Sequence, residues 1–262
     1  MKETQLAFAV ILAAMAATTL LYITAPAIDN FFIIADLLVV ALSFVALAFG
    51  IMAFRIHGLG NLQGRIMLLL SLGVFFWFLG ELTWAVYEIV LGINSPLASV
   101  ADMFWFAGYP LFFAGICLEH KVAGTKVIKK DRMFMSLFVI VLVFSSLSLY
   151  MILPVFENAE MTDIEKVVSA GYVIGDVVLL AGSFGLIISF AGGRFARPWL
   201  LITISIILFS IADIAYSYLG TAYETGSWID LLWDFDYMFM AYAFYYYRQS
   251  FGSGLFKGRR QK

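Results

Sequence analysis

Eight runs of about 20 apolar residues limit what this chain can fold into more than any other feature. They cover roughly 4–25, 31–54, 66–91, 97–118, 133–153, 166–191, 198–219 and 227–248. A helix rises about 1.5 Å per residue, so each run matches the roughly 30 Å hydrocarbon core of a bilayer. The runs are too long for barrel strands, which need about 10 residues. Composition agrees: 63% of residues are hydrophobic and 13% are charged, against about 25% charged in a soluble domain. In lipid every backbone polar group must be satisfied internally, which makes helices the expected spans. The expected fold is an all-α integral membrane protein with eight transmembrane helices. Residues 1–250 form one polytopic membrane domain, and 251–262 form a basic cytoplasmic tail. Lys2, the first apolar run and "APA" at 25–27 have the outline of a cleaved leader. At about 20 residues that run exceeds a leader core, so it is read as the first helix.

Orientation follows from Lys and Arg, which collect in cytoplasmic loops. With the N-terminus inside and eight spans, 15 of the 16 basic residues fall on the cytoplasmic side. They include Arg55, Arg65, Lys121, Arg132, Arg194, Arg197, Arg248 and Lys257; only Lys166 falls outside. Both termini are then cytoplasmic, and the expected location is the cell membrane. The outer loops are acidic instead, with Glu157, Glu160, Asp163, Glu165 and Glu224.

Two distant stretches share one pattern. "SVADMFWFAGYP" (99–110) and "SWIDLLWDFDYM" (227–238) both contain Asp-x2-Trp-x3-Tyr. The matching residues are Asp102, Trp105, Tyr109 and Asp230, Trp233, Tyr237. One helix earlier, Glu81-x2-Trp84 matches Asp213-x2-Tyr216; another helix earlier, Asp36 matches Asp176. Trp is scarce, with six in the chain, so these matches point to duplication. The expected arrangement is two parallel four-helix repeats, about 1–120 and about 132–250. An even helix number inserts both copies the same way round.

By helix direction, nine acids gather toward the outer side: Asp36, Glu81, Glu88, Asp102, Asp176, Asp213, Asp230, Asp234 and Asp236. No Lys or Arg lies at that depth. A carboxylate facing lipid costs about 2.5–3.5 kcal/mol or more at mid-bilayer. The acids must therefore face the bundle interior, be protonated, or line a wet outward vestibule. Positions i, i+3 and i+7 share a helix face, so each acid projects with its aromatic neighbours. Such a face suits a cation or amine, through charge pairing and cation–π attraction. It equally suits interhelical glue, in which Tyr and Trp donors satisfy buried carboxyls. A titrating, proton-coupled role is a third reading. The candidate ligand-binding residues are Asp36, Glu81, Trp84, Asp102, Trp105, Tyr109, Asp176, Asp213, Asp230, Trp233 and Tyr237.

Other chemistry has little support in the sequence. His57 and His120 map to the opposite side from the acids, so neither a metal centre nor a catalytic residue is assigned. No phosphate loop or nucleophile elbow occurs, no cofactor is expected, and nothing suggests nucleic-acid binding. Cys117 is the single cysteine and forms no internal disulfide.

"SPLASVADMFWFAGYP" (95–110) resembles a Pro-Ser-x-x-Asp-x-x-aromatic-x-x-x-Tyr-Pro stretch. That stretch occurs in multi-helix membrane sensor regions preceding diguanylate cyclase or histidine kinase domains in prokaryotes. "IADIAYSYLGTAYETGSWIDLLWDFDYMFMA" (211–241) resembles their second half. The resemblance implies sensing of an external or membrane-borne signal, here without an output domain. The expected function is a stand-alone membrane sensor-like module. Its partners would be the lipid bilayer, a cytoplasmic signalling protein at the basic loops, and a small cationic ligand. A small cation- or proton-coupled transporter is the alternative, and an intramembrane enzyme using carboxylates is the third.

Overall fold

The computed structural model describes residues 2–25, 28–93, 98–123, 152–159, 161–190 and 196–252, with scattered positions between 138 and 150. Every regular element among the described residues is helical. They are α1 (Lys2–Thr24), α2 (Phe31–His57), α3 (Leu62–Ala85), α4 (Val100–Ala123), α5 (continuous over 152–157), α6 (Asp163–Ser189), α7 (Ala196–Leu219) and α8 (Asp230–Gly252). A π-turn, Val86–Val90, prolongs α3, and a 3-10 turn, Gly220–Ala222, follows α7.

Six of these helices, α1 to α4, α6 and α7, are long and apolar enough to cross a membrane. The chain is accordingly a multi-pass membrane protein. Their outward surfaces are apolar, as at Leu20, Met103, Val167 and Ile174, which suits a lipid solvent rather than water. The expected run at 133–153 falls largely outside the described residues. So do most of the basic loop at 121–132, the turn at 192–197 and the tail beyond 252. The run at 227–248 does form a helix, α8, but its composition is not that of a free-standing span. It carries Asp230, Asp234, Asp236 and five tyrosines. All three acids are buried, Asp234 and Asp236 completely. α8 tolerates them because it packs on α1, α2 and α7 rather than facing outward along its length.

The packing order explains where polar residues are allowed. α2 packs on α3, α3 on α4, α4 on α6, α6 on α7, α7 on α8, and α8 returns to α2. These six helices close a ring, and α1 lies outside it against α8. The ring is filled at mid-height by residues with essentially no exposure, among them Leu70, Trp77, Phe112, Ile116, Leu179 and Phe244. Basic residues mark one end of the ring: Arg55 ends α2, Arg197 starts α7, and Arg248 lies near the end of α8. All the buried acids but Glu119 lie toward the other end.

Local signals fix the helix ends. The Asn61 side chain caps α3 by accepting from the Gln63 N–H at 2.9 Å. Thr162 and Glu165 form a capping box on α6, which satisfies two otherwise orphaned donors. The α2–α3 link is tight: a Cβ on Gly64 would lie 1.9 Å from the Gly58 carbonyl oxygen, so only glycine fits there.

Candidate functional site

At the acid end the ring encloses a cavity with about 60 Å³ open to water-sized molecules. All six ring helices reach it. α2 contributes Asp36, α3 Glu81 and Trp84, α4 Asp102 and Trp105, and α6 Tyr172. α7 contributes Phe209, Asp213 and Tyr216, and α8 contributes Asp230 and Trp233. Tyr223 and Thr225, from the α7–α8 link, complete the lining. Eight of the eleven expected site residues therefore line one cavity. The other three, Tyr109, Tyr237 and Asp176, stand behind its wall and hold it.

The hydrogen bonds behind the wall are crossed. Glu81 Oε1 accepts from Trp105 Nε1 at 3.2 Å and from the Tyr237 hydroxyl at 2.7 Å. Asp213 accepts from Trp233 Nε1 at 2.9 Å and meets the Tyr109 hydroxyl at 3.1 Å. Each of these two acids takes an indole from the following ring helix and a phenol from across the ring. Tyr109 also meets Asp176 Oδ1 at 2.8 Å. A hydroxyl has one proton to give, so Tyr109 is shared between Asp176 and Asp213.

Asp102 and Asp230 are fixed by the starts of their helices. Asp102 Oδ2 accepts from the Ser99 N–H at 2.5 Å, and Asp230 Oδ2 accepts from the Gly226 N–H at 2.5 Å. Gly226 has φ +97°, a conformation that L side chains rarely adopt. The remaining oxygen of each acid takes a phenol: Tyr172 to Asp102 at 2.6 Å and Tyr223 to Asp230 at 2.6 Å. Burial first, then the adjacent Asp230, pushes the Tyr223 hydroxyl well above its usual range. Tyr223 therefore remains a donor.

The aromatic lining is continuous. Trp105 and Trp84 have ring centroids 5.6 Å apart, Trp84 and Tyr216 6.2 Å, and Tyr216 and Trp233 5.9 Å. Tyr223 packs edge-on against Tyr216 at 4.8 Å. Phe209 closes the floor. It stacks on Trp77 at 4.2 Å with a 10° tilt, and Trp77 stacks in turn on Phe112 at 4.4 Å. Pro110 sits inside α4 and has no N–H to donate to the preceding turn. The Trp77 indole donates to the nearby Trp105 carbonyl at 3.1 Å, tying α3 to α4 there.

Sequence reasoning named Glu88 among the outer acids without its partner, and it missed Glu119. Glu88 sits on the π-turn, where the widened helix presents it to Thr225, whose hydroxyl donates to Glu88 Oε1 at 3.0 Å. A tenth buried acid, Glu119, lies at the basic end and is completely enclosed. Gln63 Nε2 donates to both of its oxygens, at 3.1 and 3.0 Å, and Tyr247 donates to Gln63 Oε1 at 3.2 Å. The inner half is thus less uniformly apolar than the sequence suggests. The Ser-x-x-Asp spacing at 99–102 was a usable signal for Asp102, since an acid at the third helical position bonds the capping residue's N–H.

No family model, curated protein or solved structure matches this chain.

Proposed function

We propose that this protein is a membrane sensor module whose acid and aromatic cavity opens to the outside and binds a small cationic ligand. One observation carries the reading. All six ring helices converge on one small cavity, lined by five carboxyls and aromatic rings and closed below by the Phe209–Trp77–Phe112 stack. A ligand held there touches both halves of the chain. Binding that favours one packing of the halves over another would shift their populations.

The duplication belongs to the same reading. Helices α1–α4 and α5–α8 are taken as two parallel repeats with eight spans and cytoplasmic termini. The crossed Tyr109–Asp213 and Tyr237–Glu81 bonds support it, as does the matched pair Trp105–Glu81 and Trp233–Asp213. The ring order supports it too, because α2–α3–α4 and α6–α7–α8 repeat the same contacts. The resemblance of 95–110 and 211–241 to prokaryotic sensor regions supplies the class. The cytoplasmic partner would read the shift at the basic loops of the cell-membrane-embedded module.

A carrier needs its acids reachable from both sides in turn. Residues with almost no exposure separate the cavity from Glu119, which favours a sensor over a carrier. Reconstitution tests this. In liposomes containing only this protein, imposed gradients of protons, sodium or a small amine are expected to run down no faster than in empty liposomes. Sustained, protein-dependent uptake of any of them contradicts the sensor reading and restores the carrier.

A further inference from the structure

We propose that the cavity takes a small alkylammonium ion carrying at least one N–H, with Asp36 as its counter-charge. This rests on the reading of the cavity as a ligand site and adds the chemistry of the ligand.

Four of the five cavity acids have donors already. Glu81, Asp102, Asp213 and Asp230 are bonded by phenols, indoles or backbone N–H groups. Asp36 differs. It is 2% exposed and lines the cavity, and its Oδ2 has no hydrogen-bond partner. Its neighbours include three more acids: Glu88, which shares a side-chain hydrogen bond with it, Asp230 and Glu81. Its counterpart in the second half, Asp176, has one oxygen bonded by Tyr109 and one equally without a partner, but it does not line the cavity. A buried acceptor left without a donor is costly, and an N–H cation in the cavity supplies both donor and charge.

The walls choose among cations. Among the described residues no group of three His, Cys, Asp or Glu comes close enough to hold a metal ion. The acids are spread around the cavity, with Trp84, Trp105, Tyr216 and Trp233 between them. A metal ion would face rings where it needs oxygens. An alkylammonium ion places its N–H toward Asp36 and its carbons against the ring faces, where cation–π attraction acts. The volume has room for about four water-sized groups, which limits the ligand to roughly the size of trimethylammonium.

Three of the six tryptophans line the cavity, so tryptophan fluorescence of the detergent-purified protein reports occupancy. The probes are trimethylammonium chloride, tert-butanol as a neutral molecule of similar size, and calcium chloride. Trimethylammonium is expected to change the emission saturably, and the other two are not. Asp36→Asn is expected to weaken trimethylammonium at least about tenfold, while Glu119→Gln, at the far end of the ring, leaves it unchanged. If Asp36→Asn fails to fold, the contrast between trimethylammonium and tert-butanol in the native protein decides. Equal binding of tert-butanol, binding of calcium in preference, or an unchanged affinity in Asp36→Asn overturns the ammonium assignment but leaves a ligand site. Absence of any saturable response to trimethylammonium overturns it as well. The sensor reading stands or falls separately, on the liposome measurement.

Discussion

Tyr109→Phe is expected to destabilise the protein by roughly 1–3 kcal/mol, although it removes a single oxygen. Two buried acids, Asp176 and Asp213, meet that hydroxyl at 2.8 and 3.1 Å. Each buried acceptor stripped of its donor costs about 1–3 kcal/mol. Asp213 keeps the Trp233 indole. Tyr237→Phe provides an internal comparison. It strips one acceptor, Glu81, which keeps Trp105, so its cost is about 1–3 kcal/mol. Tyr245→Phe, at a half-buried position near the basic end, is expected to change little. Unfolding midpoints in a mild detergent compare the three. A Tyr109→Phe midpoint equal to that of Tyr245→Phe contradicts the proposed role of the shared hydroxyl.

Trp77→Ala is expected to cost about 3–5 kcal/mol, the range for removing a fully buried aromatic side chain. Trp77 has no exposure and lies between Phe209 and Phe112. Its loss leaves a void directly beneath the cavity and removes the donor to the Trp105 carbonyl. Neighbouring helices cannot collapse into the gap without disturbing the Glu81 and Asp213 bonds one turn away. Trp228→Ala is the control, because Trp228 is 62% exposed and a substitution there is expected to shift the midpoint only slightly. The same unfolding measurement compares the two. Similar midpoints for both variants would show that the aromatic stack does not hold the ring together.

Much of this architecture was legible in the chain. The apolar runs located α1, α2, α3, α4, α6 and α7, because a helix in lipid advertises itself by length and hydropathy. α8 was legible from the run at 227–248 and again because Asp102, Trp105 and Tyr109 recur in it as Asp230, Trp233 and Tyr237. Its hydropathy misleads, since neighbouring helices and not lipid surround its acids. The repeated spacing also placed Glu81, Asp102, Asp213 and Asp230 with aromatic rings. Periodicity could go no further. It says which residues share a helix face, not which helix that face meets, so the bond from Tyr109 to Asp213 across 104 residues was invisible. Nor could it separate Asp36, which lines the cavity, from Asp176, which stands behind it. Glu119 was missed because its partner Gln63 lies 56 residues away. Glu88 was legible as one of the outer acids, but its bond to Thr225, 137 residues away, was not.

The measurement that tests the central claim most directly is the sidedness of the cavity. Cys117 is the only cysteine, so a Cys117→Ser background allows single cysteines to be placed at will. Thr225→Cys sits in the cavity lining, and Gly60→Cys sits in the exposed α2–α3 link at the basic end. Intact cells are treated with a membrane-impermeant thiol reagent before and after permeabilisation. The account predicts that Thr225→Cys reacts in intact cells and that Gly60→Cys reacts only after permeabilisation. The reverse pattern would place the acid and aromatic cavity on the cytoplasmic side and contradict an outward-facing sensor.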